Sequence, residues 1–75
     1  MQTGQRLRLT RSAMAIAQRE ERHLAIMVPE GATIEVIGGA FNGTRLMDVR
    51  YYGEMILMFT DDMKTHTELI QVENA

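Results

Sequence analysis

Residues Gly31 to Val72 read GATIEVIGGAFNGTRLMDVRYYGEMILMFTDDMKTHTELIQV, and this stretch decides the fold. Thr33 to Ile37 alternates, with Ile34 and Val36 on one side and Thr33 and Glu35 on the other. That period of two is the pattern of a half-buried strand. Gly38-Gly39-Ala40-Phe41-Asn42-Gly43 follows as a loop, and Asn42-Gly43 suits the positive φ of a hairpin turn. Arg45 to Tyr51 resumes the alternation, Met47, Val49 and Tyr51 on one side against Asp48 and Arg50 on the other. Tyr52-Gly53 reverses the chain into Met55-Ile56-Leu57-Met58-Phe59, which is apolar at every position. A run of that kind predicts a strand covered on both faces. In so short a chain the second cover must be the N-terminal segment or another subunit. Thr60-Asp61-Asp62-Met63-Lys64 has the chemistry of a short helical turn, with Thr60 as cap and two Asp at its positive end. Thr67 to Val72 closes as a last strand.

Upstream the pattern is less decisive. Leu7 and Leu9 alternate with Arg6 and Arg8, which suits a short strand or a polar basic arm over residues 1–11, disordered or exchanged with a neighbouring chain. Residues 12–75 then form the single domain. Ser12 to Arg22 reads two ways. By propensity SAMAIAQREER is a helix that Ser12 can cap. By alternation it is a strand, Met14 and Ile16 on one face and Ala13, Ala15 and Ala17 on the other, leading through Arg19-Glu20-Glu21-Arg22 into a partner strand at His23–Val28. The hairpin is preferred, because Leu24, Ile26 and Val28 alternate and need a neighbour. The turn itself has no Gly, Asn or Pro. Val28-Pro29-Glu30-Gly31 is a turn in which Pro29 sets φ and Gly31 occupies the fourth position of a type I turn.

With 75 residues, the core is marginal, since a chain of this length buries only about 60% of its unfolded surface. No Cys is present, which removes disulfides and thiolate metal sites. Seven Met suit either irregular packing or an adaptable contact surface. The absence of a membrane-length apolar run and of a signal-peptide core predicts a soluble, cytoplasmic protein. The formal charge of -2 is unevenly placed: residues 1–22 carry five Arg against Glu20 and Glu21, and residues 23–75 carry three bases against eight acids. The basic head can reach phosphate or pair with an acidic body.

The order strand, long loop, strand, tight turn, strand, helical turn, strand resembles SH3-like β-barrels over Gly31 to Val72. GATIEVI is similar to their Gly-led strand, NGTRLMDVRYYGE to the two central strands and distal turn, and FTDDM to their helical turn. The resemblance implies an all-β small barrel of five to six short antiparallel strands with one helical turn near Thr60–Lys64. The chain also resembles small uncharacterised bacterial proteins of this layout, with PEGA, a Gly-rich loop and a DVR–G–MFT core, and that likeness brings no activity with it. A polyproline groove needs stacked aromatic walls, and AMAIAQ, Thr44-Arg45-Leu46 and Asp61-Asp62 stand where such walls belong.

Candidate chemistry is sparse. His23, His66, Asp61 and Asp62 match no metal-ligand spacing, so neither metal nor cofactor is expected. Ser12 has no elbow motif, and GGAFNG lacks the Lys-Ser/Thr of a phosphate loop. An SH3-like enzyme with a pore formed by a tetramer, as in type II dihydrofolate reductases, would need their Val-Gln-Ile-Tyr run, and Leu57-Met58-Phe59-Thr60 stands in the nearest strand. A KOW-type nucleic-acid module is the main alternative, with IEVIGGAFNGTRLMDV faintly similar and Tyr51, Tyr52 and Phe41 flanking Arg45 and Arg50; Glu35, Asp48 and Glu54 dilute its charge. The leading expectation is a non-enzymatic protein-interaction module that self-associates as a homodimer or larger. Its candidate partner surface is Phe41, Arg45, Arg50, Tyr51 and Tyr52, on the long loop and distal turn.

Overall fold

Alternation sorts this chain onto two sides of one sheet. A computed structural model describes residues 3–38 and 45–70. The elements run β1 (Arg6–Leu9), β2 (Ala13–Arg19), β3 (Arg22–Val28), β4 (Thr33–Val36), β5 (Leu46–Tyr51), β6 (Glu54–Phe59), α1 (Thr60–Thr65) and β7 (Thr67–Leu69). The fold is all-β, with antiparallel pairing throughout and the spatial order β3-β2-β6-β5-β4-β1-β7.

The inner face is a single apolar cluster. Leu7 and Leu9, Ala13, Ala15 and Ala17, Val28, Ile34 and Val36, Met47 and Val49, and Ile56 and Met58 project into it from six strands, and Met63 joins them from α1. One six-residue helix is too small to roof seven strands. The sheet therefore curls its inner side around its own residues. Backbone bonds fix the bend: Thr10 N–H donates to the His66 carbonyl at 2.8 Å, and Gly31 N–H to that of Leu9 at 2.8 Å.

Closure into a barrel is the expectation that fails. Among the described residues β3 and β7 each have one neighbour, so both are edges. The cause lies in β2 and β3. Their hairpin has a complete register from Ala13↔Val28 to Arg19↔Arg22, and it docks on the free side of β6 through Ala15↔Met58 and Ala17↔Ile56. The sheet grows outward where a smaller barrel would seal. Among the described residues the strands number seven where five to six were expected.

Residues Arg6 to Leu9, read as part of a basic arm, lie between β4 and β7. Burying Leu7 and Leu9 holds them there: both are in the core. The hairpin reading of Ser12–Val28 is the one the chain adopts, and its two-residue turn sets Glu20 at φ 49° and Glu21 at φ 65°. Positive φ at both central positions is the signature of a type I′ turn. The Pro29 turn is shifted by one residue from expectation. Ala32 N–H donates to the Pro29 carbonyl at 3.1 Å, and Gly31, at φ 87°, takes the third position. A type II turn needs its glycine there.

Thr60 does not cap α1. It is the first helical residue, Phe59 holds the cap position without a side-chain bond, and Thr60 Oγ1 is buried with no partner among the described residues. The Thr60 N–H instead donates to the Arg45 carbonyl at 2.7 Å, which carries the β5–β6 ladder into the helix. β7 ends at Leu69, and Val72 of the expected last strand lies outside the described residues.

Candidate functional site

The outer face of the sheet has two halves. Register places Met27 beside Met14, Ala25 beside Ile16, Ile16 beside Leu57 and Phe59 beside Leu46. These residues form an apolar half over β3, β2 and β6, extending to Leu46 at the start of β5. The rest is charged. Arg50 lies opposite Glu35, Glu35 opposite Arg6, and Arg8 opposite Glu68. Arg50 Nη1 donates to Glu35 Oε1 at 3.4 Å, and Arg8 Nε to Glu68 Oε1 at 2.8 Å.

The apolar half is open to solvent. Met14 is 47% exposed, Met27 61% and Met55 51%, while Leu57 and Phe59 are half-buried. Among the described residues nothing covers the outer side of Met55–Phe59, where a cover on both sides was expected. Ile56 and Met58 are buried beneath the sheet, and their alternate neighbours face outward. The N-terminal segment lies beside β6 in the plane of the sheet, because backbone pairing to β2 satisfies both elements' hydrogen bonds at once.

A depression of about 180 Å³ sits on this face, lined by Ile16, Gln18, His23, Asp48, Met55, Ile56 and Leu57. His23 is on β3 and Asp48 on β5, with β2 and β6 between them. Three strand spacings amount to about 14 Å along the sheet. The two groups are too far apart to pass a proton directly, and the remaining lining is apolar or amide. Among the described residues no three His, Cys, Asp or Glu converge as metal ligands. His66 Nδ1 stands 3.6 Å from Asp62 Oδ1 across one turn of α1.

Of the five residues singled out from sequence, the four described ones are spread along β5 and its two ends. Phe41 lies outside the described residues. Arg45 is exposed just before β5, whereas Tyr52 is 90% exposed in the turn at the strand's other end. Six residues of strand separate those ends, about 20 Å. Arg50 belongs to the charged outer half, and Tyr51 turns inward and packs against the core. Tyr51 and Tyr52 meet, ring centroids 4.6 Å apart at 62°.

Beside them, Arg19 at the end of β2 holds Glu54 at the start of β6 in a bidentate pair, Nε to Oε2 at 3.0 Å and Nη2 to Oε1 at 2.9 Å. The hydrogen bonds from Arg19 hold the Glu54 carboxyl below its ordinary range, and the same bonds raise Arg19.

Sequence reasoning missed Met14 and Leu24, which with Met27 are exposed large apolar residues on the β2–β3 hairpin. The alternation of Met14 and Ile16 against three alanines was visible. The larger residues face out because Ala15 and Ala17 lie opposite Met58 and Ile56, whose bulk fills the core there. No helix among the described residues is long and apolar enough to cross a membrane. Comparison with protein-family models, curated proteins and solved structures found no match to the chain.

Proposed function

We propose that the protein is a non-enzymatic interaction module whose first partner is a second copy of itself. The single observation carrying this reading is the β2–β3 hairpin, which forms one side of the sheet and exposes Met14, Leu24 and Met27. Apolar side chains gathered at one edge of so small a domain mark a contact surface, and methionine suits a surface that must adapt to its partner. Burying one such side chain on association contributes about 1.5–3 kcal/mol. The exposed Tyr52, at positive φ, is the second element of the module, an aromatic held at a hairpin tip.

Sedimentation equilibrium of the full chain at micromolar concentration tests this. The expected species has twice the 8.5 kDa chain mass. A single 8.5 kDa species at every concentration ends the proposal.

A further inference from the structure

The two edges of the sheet are unlike. β7 has three residues and carries Glu68, the kind of short, charged edge that resists further pairing. β3 has seven residues, and its centre, Leu24-Ala25-Ile26-Met27-Val28, is uncharged. It has no inward lysine, bulge or proline within it; Pro29 comes only after its last residue.

The hairpin geometry fixes which backbone groups face away from β2. In a two-residue turn the Arg22 N–H bonds back to the Arg19 carbonyl, and the groups of every second residue follow it. Leu24, Ile26 and Val28 thus bond to β2. The N–H and C=O groups of His23, Ala25 and Met27 point off the edge.

We propose that two copies of the chain join through this edge, β3 against β3, antiparallel about a two-fold axis at Ile26, into one continuous sheet. The proposal rests on the self-association reading and specifies its geometry. In this register Ala25 of each copy exchanges N–H and C=O bonds with Met27 of the other, and His23 N–H reaches the Pro29 carbonyl. Leu24, 43% exposed in the single chain, gains Val28 of the second copy as its cross-strand neighbour. Ile26 meets Ile26. Arg22, the first residue of β3, comes beside the Pro29–Ala32 turn of the other copy, which carries Glu30, and opposite charges at both ends favour the pairing. A dyad moved one residue, to Ala25, brings the Glu20-Glu21 turn of each copy toward the turn that carries Glu30 in the other, and like charges disfavour it. Charge thus selects the register, and the Met14 and Met27 columns of both copies merge into one patch across the axis.

Single cysteines on the full chain test this, since the protein has none of its own. Ile26 faces itself in a non-hydrogen-bonded pair with Cα atoms about 4.5 Å apart, within disulfide reach. Under mild oxidation I26C is expected to give a cross-linked dimer, and Met55→Cys is expected to remain uncross-linked. R22E and E30R are each expected to weaken dimerisation about tenfold, two pairs being lost per dimer, and R22E/E30R together to restore it. A wild-type dimer in which I26C stays uncross-linked and the charge exchange gives no rescue overturns the β3 interface while leaving self-association standing. Cross-linking by Ala25→Cys in place of I26C overturns the register. Loss of the wild-type dimer altogether, with β3 captured only by an unrelated strand, overturns the second copy as occupant and the reading beneath it.

Discussion

Glu20 and Glu21 occupy the left-handed region in a turn whose conformation favours Asn-Gly. Each non-glycine residue held there costs about 1 kcal/mol. Replacing the pair by Asn-Gly is expected to stabilise the fold by about 1–2 kcal/mol, raising Tm by several degrees in a domain of this size; an unchanged melting curve would contradict the turn assignment. Tyr52, at φ 50°, carries the same strain. Tyr52→Asn should stabilise the monomer although it removes an aromatic contact with Tyr51. The Arg19–Glu54 pair gives a pH prediction at this scale. Because the folded carboxyl lies below its ordinary 4.5, its contribution is present above that value and fades as pH falls through the folded value. The Tm difference between wild type and Glu54→Gln is therefore expected at pH 7, smaller in high salt, and absent in strong acid. A difference that grew on acidification would refute it.

At the scale of elements, β6 and β2 show the division of labour between faces. Met58 is fully buried opposite Ala15, so Met58→Ala should cost about 2–5 kcal/mol, enough to unfold a chain with so small a core. Ala15→Leu should cost about 1–3 kcal/mol by overpacking the same contact. Met27→Ala on the open face should move monomer stability by less than about 0.5 kcal/mol. Chemical denaturation of the three variants separates these classes. β4 and β5 were legible in the sequence because their apolar residues alternate, and β6 because it is one continuous apolar run after the Tyr52-Gly53 turn. The Ala13–Ala17 stretch was ambiguous because alanine favours helices while the side that alanine occupies depends on what lies opposite. Alternation separated Met14 and Ile16 from the three alanines without saying which side faces the core, and Met58 and Ile56, distant in sequence, decide it. The cap at Thr60 was misread for a related reason: its amide is engaged by Arg45 across the sheet.

For the molecule as a whole, local pattern gave the all-β class and could not give closure. Whether a sheet seals depends on which distant strand takes the second side of β6, and nothing in MILMF distinguishes β2 from another neighbour. The candidate surface drawn from loops and aromatics likewise scattered, since Arg45 and Tyr52 stand at opposite ends of one strand. The exposed hairpin could be recognised only once the core's occupants were known. The charge pattern makes a further prediction at this scale. Arg8, Arg19 and Arg50 each face a glutamate on the sheet, so the chain should pass through a heparin column at low salt; retention that declines with rising salt would favour nucleic acid.

Amide hydrogen exchange along β3 tests the edge-to-edge dimer most directly. With β2 already pairing Leu24, Ile26 and Val28, the amides of His23, Ala25 and Met27 should be the reporters. Their protection is expected to rise with protein concentration and reach that of their neighbours. Rapid exchange at these three positions at every concentration, beside slow exchange at Leu24 and Ile26, would contradict it.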